Sequence, residues 1–167
     1  MPSDLKHRNI LRFDRLSPPD ITAVLNSARA LQRVARDGAR QPLLRGKNLG
    51  LLCEIDDGAD ATAFRCAAVE LGAHVAHIRP SLSERSTAQE VRHTARMLGR
   101  LYDAVECQGM PSALVRRVGI DAGVPVYDAI SSPDSPMAGL AELLDERDSP
   151  IDRRHFMIQA LLLSTIG

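Results

Sequence analysis

Between residues 48 and 144, short apolar runs alternate with amphipathic segments, and this alternation constrains the fold more than any other feature of the chain. Residues 49–54 read as a buried parallel strand, 61–71 as a helix stopped by Gly72, and 74–78 as a second strand. Residues 87–98 form the next predicted helix, with Gly99 in its last turn, and 102–106 the third strand. A helix over 111–122 closed by Gly123, a strand over 124–128 and a helix over 136–144 complete the series. Strands joined by helices of this length imply right-handed βαβ units. The expected architecture is therefore a single three-layer α/β domain, with a four-stranded parallel sheet and helices on both faces.

This core is flanked by one predicted helix on each side. Ser17, Pro18 and Asp20 have the spacing of a capping box with proline at the first helical position. Ile21, Val24, Leu25, Ala28, Leu31 and Val34 then fall on one face, and the helix should end near Asp37 and Gly38. Residues 39–47 are a largely polar link. After a break at Ser149 and Pro150, a last helix over 152–166 offers Phe156, Ala160, Leu162 and Leu163 for packing. The expected organisation is one unit over 1–148 and a closing helical segment over 149–167.

Composition narrows the function classes. The 167 residues suffice for one core, with 44% apolar and 25% charged residues. Lys plus Arg and Asp plus Glu are 21 each, which lacks the basic excess of a nucleic-acid surface. Cys53, Cys66 and Cys107 are odd in number and show no CxxC spacing, so three buried thiols in a reducing compartment are expected. Residues 1–8 lack an apolar signal core, and the run Ala160 to Leu163 is far too short to span a bilayer, so the cytoplasm is the expected location. No dinucleotide, Walker or HExxH motif occurs, and no cofactor or metal is expected.

In a parallel sheet ligands bind at the carboxyl ends of the strands. This directs attention to residues 54–60, 80–86, 106–110 and 128–135. A helix N-terminus such as the one after the first strand suits an anion, yet the turn holds Asp56, Asp57 and Asp60 and no Arg, Lys, Ser or Thr. One reading makes Asp57 or Asp56 the helix cap, worth about 0.5–2 kcal/mol. Others are a divalent cation or an amine held by Glu54, Asp56, Asp57, Asp60 and Asp128. Glu54 should end its strand, with Arg65 as an interior partner, and Asp128 should end the fourth. His74 and His77, three apart in a strand, face opposite sides. His93 and His155 are expected on helices, and Ser131, Ser132 and Ser135 lie near no evident base.

Several motifs resemble the carbamoyl-phosphate-binding half of the ornithine and aspartate carbamoyltransferases. Leu16 to Ile21 resembles that family's opening helix, and Leu44-Arg45-Gly46-Lys47-Asn48-Leu49 its L-x-G-K-x-L entry to the first strand. Leu71 to His74 is similar to its L-G-G/A-H stop, and His93 to Leu98 to its D-T-A-R-V-L, with His93 for Asp. Val124-Pro125-Val126 and Leu140 to Leu144 resemble its V-P-V and L-A-D-L-L runs. Asp152 to Leu163 resembles the helix that returns from the family's second domain. The resemblance implies that the second, amino-acid-binding domain is missing between Asp148 and Ser149.

The departures are chemical. Where the family carries Ser-Thr-Arg-Thr-Arg for the phosphate, this chain has Asp57, Gly58, Ala59, Asp60 and Ala61, and the Ser-Phe-Glu that follows falls at Ala63, Phe64 and Arg65. The family's arginine after the third strand falls at Gln108, and its His-Pro-x-Gln at Ser135, Pro136, Met137 and Ala138. Arg85 matches the basic residue of the second loop only loosely. Each lost charged hydrogen bond forfeits about 1.5–3 kcal/mol. One carboxylate about 5 Å from one phosphate charge adds about 3 kcal/mol of repulsion at an effective dielectric near 20. Micromolar binding amounts to about 8 kcal/mol in total. The resemblance with these losses implies a non-catalytic homologue without catalytic residues. Its contacts would be oligomeric, as a homo-trimer or with an active enzyme, with the acidic site as the alternative and residual carbamoyl transfer to an amino acid a lesser one. The expected charge partner of Asp57 or Asp60 is Arg65 or the helix amides.

Overall fold

The computed structural model describes residues 16–166. Residues 1–15 and 167, including the segment read for a signal core, lie outside them. The elements run α1 (Pro18–Arg36), β1 (Asn48–Leu52), α2 (Ala59–Glu70), β2 (His74–Ile78), α3 (Ala88–Leu101), β3 (Ala104–Cys107), α4 (Ser112–Ala122), β4 (Val126–Asp128), α5 (Pro136–Ala141) and α6 (Pro150–Thr165). All four strands are parallel, in the order β2-β1-β3-β4.

Side-chain alternation along the strands divides the core. Leu49 and Leu51 of β1 and Tyr127 of β4 join Phe64 of α2 and Met157 and Leu161 of α6 in one cluster. Leu52, Val105, Cys107 and Val126 meet Val91 and Leu98 of α3 and Val115 and Val118 of α4 in the other. The α3–α4 contact is close: a Cβ at Gly99 would lie 1.7 Å from the Ala122 carbonyl oxygen. Gly123, at φ 73°, ends α4 in the left-handed conformation that favours glycine.

The Ser17–Asp20 capping box forms at α1 as its spacing predicts. α6 starts earlier than expected, at Pro150, because the Ser149 hydroxyl accepts from the Asp152 amide. It packs on α1, α2 and α5. Tyr127 and Thr165 join it to the sheet through a buried 2.5 Å hydroxyl pair, and Gln159 donates to the Ala67 carbonyl at 3.2 Å. Three strands are shorter than expected. β1 ends at Leu52, β3 begins at Ala104 and β4 at Val126, since the flanking residues serve the turns. Asn48 N–H, for example, donates to the Asp103 carboxylate at 2.8 Å. No helix among the described residues is long and apolar enough to cross a membrane.

Candidate functional site

The loops after β1, β3 and β4 converge at one edge of the sheet, and their chemistry differs sharply. After β1 the chain turns out into solvent, so Glu54, Ile55, Asp56 and Asp57 are exposed. Glu54 therefore does not end its strand and does not pair with Arg65. Arg65 instead donates to the Asp56 carbonyl at 3.1 Å, with its guanidinium 3.6 Å from the Asp56 carboxylate. His77 approaches the same carboxylate at 3.6 Å and donates from Nε2 to the Cys53 carbonyl at 2.7 Å.

The helix cap also differs from expectation. α2 begins two residues earlier than its apolar pattern indicates, which makes Gly58 the N-cap. Its backbone is extended and it provides no side-chain hydrogen bond. Neither Asp56 nor Asp57 caps the helix, and Asp60 lies in the first turn. Among the described residues no loop carboxylate accepts from the first-turn amides of α2. Arg65 serves Asp56, rather than Asp57 or Asp60 as its position suggested. Ala59 is exposed and Ala61 is buried.

The loops after β3 and β4 are knit together instead. Glu106 lies in β3 on the Tyr127 side of the sheet and is wholly buried. Its carboxyl accepts from the Ile130 amide at 3.2 Å and from Gln108 Nε2 at 3.2 Å, and it lies 3.3 Å from Ser131 Oγ. Gln108 Nε2 also donates to Ser131 Oγ at 2.8 Å, and Ser131 Oγ donates to the Asp60 carbonyl at 2.7 Å. Burial pushes Glu106 up to about 7, against the opposing pull of these donors. Burial likewise raises Cys107 and Tyr127, and Cys53 is raised by burial first and then by Asp56.

Ser131 thus has a carboxyl neighbour that its sequence context did not reveal. Its proton, however, goes to the Asp60 carbonyl, the shorter contact. Gln108 turns both amide hydrogens inward. Ser135 caps α5 by accepting from the Met137 amide at 3.3 Å, and Ala138 sits half-buried in the same short helix. Asp128 ends β4 as expected, half-buried. Among the described residues no group of three or more His, Cys, Asp or Glu side chains is placed to hold a metal ion, so the acidic set is not assembled into a metal centre. Cys66 is exposed, which corrects the expectation of three buried thiols: Phe64, Ala67 and Ala68 take the core-facing positions of α2.

Sequence reasoning placed Glu106 and Ser131 in the strand-end segments but missed that they meet. The available signal was a charged residue in an otherwise apolar strand, at the edge where ligands bind.

A four-stranded parallel sheet covered by helices on both faces defines the class. Residues 8–147 match the family model described as aspartate/ornithine carbamoyltransferase, carbamoyl-P binding domain, and the chain belongs to that family. It is 35% identical over 144 residues to an ornithine carbamoyltransferase of Actinobacillus pleuropneumoniae, covering 86% of this chain and 43% of that protein. A catabolic ornithine carbamoyltransferase of Burkholderia mallei is 33% identical over 175 residues, covering 98% of this chain and 52% of the relative. The chain thus spans about half the length of the curated relatives it matches. Among solved structures, the ornithine carbamoyltransferase of Pyrococcus furiosus superposes with a TM-score of 0.72 at 23% identity, over 84% of this chain and 45% of that one. That of Thermus thermophilus gives 0.64 at 26% identity, over 81% and 46%.

Proposed function

We propose that this chain is a carbamoyltransferase-family domain that does not transfer carbamoyl groups. It acts through protein contacts in the cytoplasm, as a homo-trimer or as a subunit beside an active enzyme. One observation carries this reading. The start of α2 bears the Asp57 and Asp60 carboxylates, while the guanidinium on the same helix, Arg65, is turned onto Asp56. A dianion placed there meets negative side chains and no cation from the loop. Exposed apolar residues such as Ile55, Leu101 and Ile120 supply surface for association.

The test combines light scattering with product assays. The pure chain, or the chain mixed with an active family member, should scatter with the mass of an oligomer. Alone, without the active enzyme, it should form neither citrulline nor carbamoyl-aspartate above the uncatalysed rate. A strict monomer that ignores the active enzyme, or measurable turnover, would overturn the proposal.

A further inference from the structure

α6 brings two arginines to the lining of two cavities. Arg153 and Arg154 lie in its first turns, both half-buried. Neither forms an ion pair with a described carboxylate. Arg153 Nε is a buried donor without a hydrogen-bond partner, a state that is costly for a charged group unless something completes it.

Two cavities adjoin these side chains. One, of about 270 Å³, is lined by Pro133, Ala138, Glu142, Pro150 and both arginines. The other, of about 520 Å³, opens between α2, the loop after β4 and α6, and Arg154 lines it as well. Its remaining wall is largely apolar, from Ala59, Ala63, Pro133, Ile151 and Ile158, with Cys66 and Ser131 at its margin. Ile151 is 70% exposed despite its size. His155 lines this cavity too, but its ring nitrogen is held by Glu70.

We infer that the larger cavity binds a small organic monoanion, with its carboxylate on Arg154 and its apolar body against Ala63, Ile151 and Ile158, while Arg153 lines the smaller cavity and adds positive charge from the next residue of α6. An unpaired guanidinium selects a carboxylate by paired, charge-assisted hydrogen bonds. The apolar lining selects against a bare inorganic ion. Asp60, on the α2 side of the larger cavity, adds negative charge and so favours a monoanion over a dianion. The site does not depend on the absence of carbamoyl transfer.

The test is an amide-resolved NMR titration of the full chain with phenylacetate, its neutral counterpart phenylacetamide, and inorganic phosphate. Phenylacetate should give saturable shifts at Ala63, Cys66, Ile151, Arg154 and Ile158 within roughly 10 mM. Phenylacetamide and phosphate should each bind about tenfold more weakly or worse. Arg154→Gln should weaken phenylacetate by about tenfold while keeping a dispersed native spectrum, and Arg153→Gln by a smaller factor. No saturable shift with phenylacetate would overturn the proposal. So would equal binding of the acid and its amide, or tighter binding of phosphate; these wild-type comparisons hold whether or not a variant folds.

Discussion

The two walls of the candidate site have taken opposite courses. The β1–α2 wall is open: its carboxylates are solvated, its helix cap is a glycine, and its one guanidinium makes a long ion pair with a partly exposed aspartate. The β3–β4 wall is closed: Glu106, Gln108 and Ser131 hydrogen-bond one another, and through the Asp60 carbonyl they fasten the start of α2 to the loop after β4. On the open wall a change of side chain alters the charge a ligand would meet and little else. On the closed wall the side-chain donors of Gln108 and Ser131 hold the fold, so they have no N–H or O–H to spare for an anion. The two walls thus offer a ligand different things: the first presents negative charge, and the second keeps its donors turned inward.

This contrast makes graded predictions. The largest effect belongs to pH and Glu106. Its folded pKa, about 7, lies above the ordinary 4.5. Between those values the unfolded chain has released a proton that the folded chain keeps. The stability this group contributes is therefore full below about pH 4.5 and declines as pH rises to about 7, by up to about 3 kcal/mol. Urea unfolding across that range should show this decline in the wild type and a flatter profile in Glu106→Gln. Equal slopes would mean that the closed wall is not charge-sensitive.

Next comes Ser131→Ala, which removes a donor to the Asp60 carbonyl and an acceptor for Gln108 inside the protein. It should cost about 2 kcal/mol in denaturant unfolding. A cost near zero would show the two walls to be alike.

On the open wall Arg65→Ala should cost less than about 1 kcal/mol. The pair is long and exposed, and added salt should erase the difference. The smallest effect is Asp57→Ser, with a change within about 0.5 kcal/mol by the same measurement. A larger loss would mean that Asp57 is held by the fold.

The fold was legible because its signals are local. Apolar runs and the glycine at position 123 mark the elements, and the Ser17–Asp20 spacing marks the first helix. Strand ends were less legible, since a residue such as Asp103 looks strand-like locally but is recruited to bond the Asn48 amide. On the open wall the acidic side chains could be read from residue types alone, but neither the helix cap nor the partner of Arg65 could. The apolar pattern of α2 begins at Ala61, whereas the helix itself begins at Ala59, before any apolar periodicity exists to reveal it. The closed wall was hidden for a different reason. Glu106 and Ser131 are 25 positions apart and meet only because β3 and β4 run parallel in one register. Ser131 gave no sign of its partner, and Glu106 looked like one more strand residue.

Calorimetric titration of the wild-type chain with freshly dissolved carbamoyl phosphate, at low salt and neutral pH, is the most direct measurement. Absence of saturable heat up to roughly millimolar ligand is the predicted result. A micromolar dissociation constant with one site per chain would contradict the claim that this edge of the sheet no longer accepts a dianion.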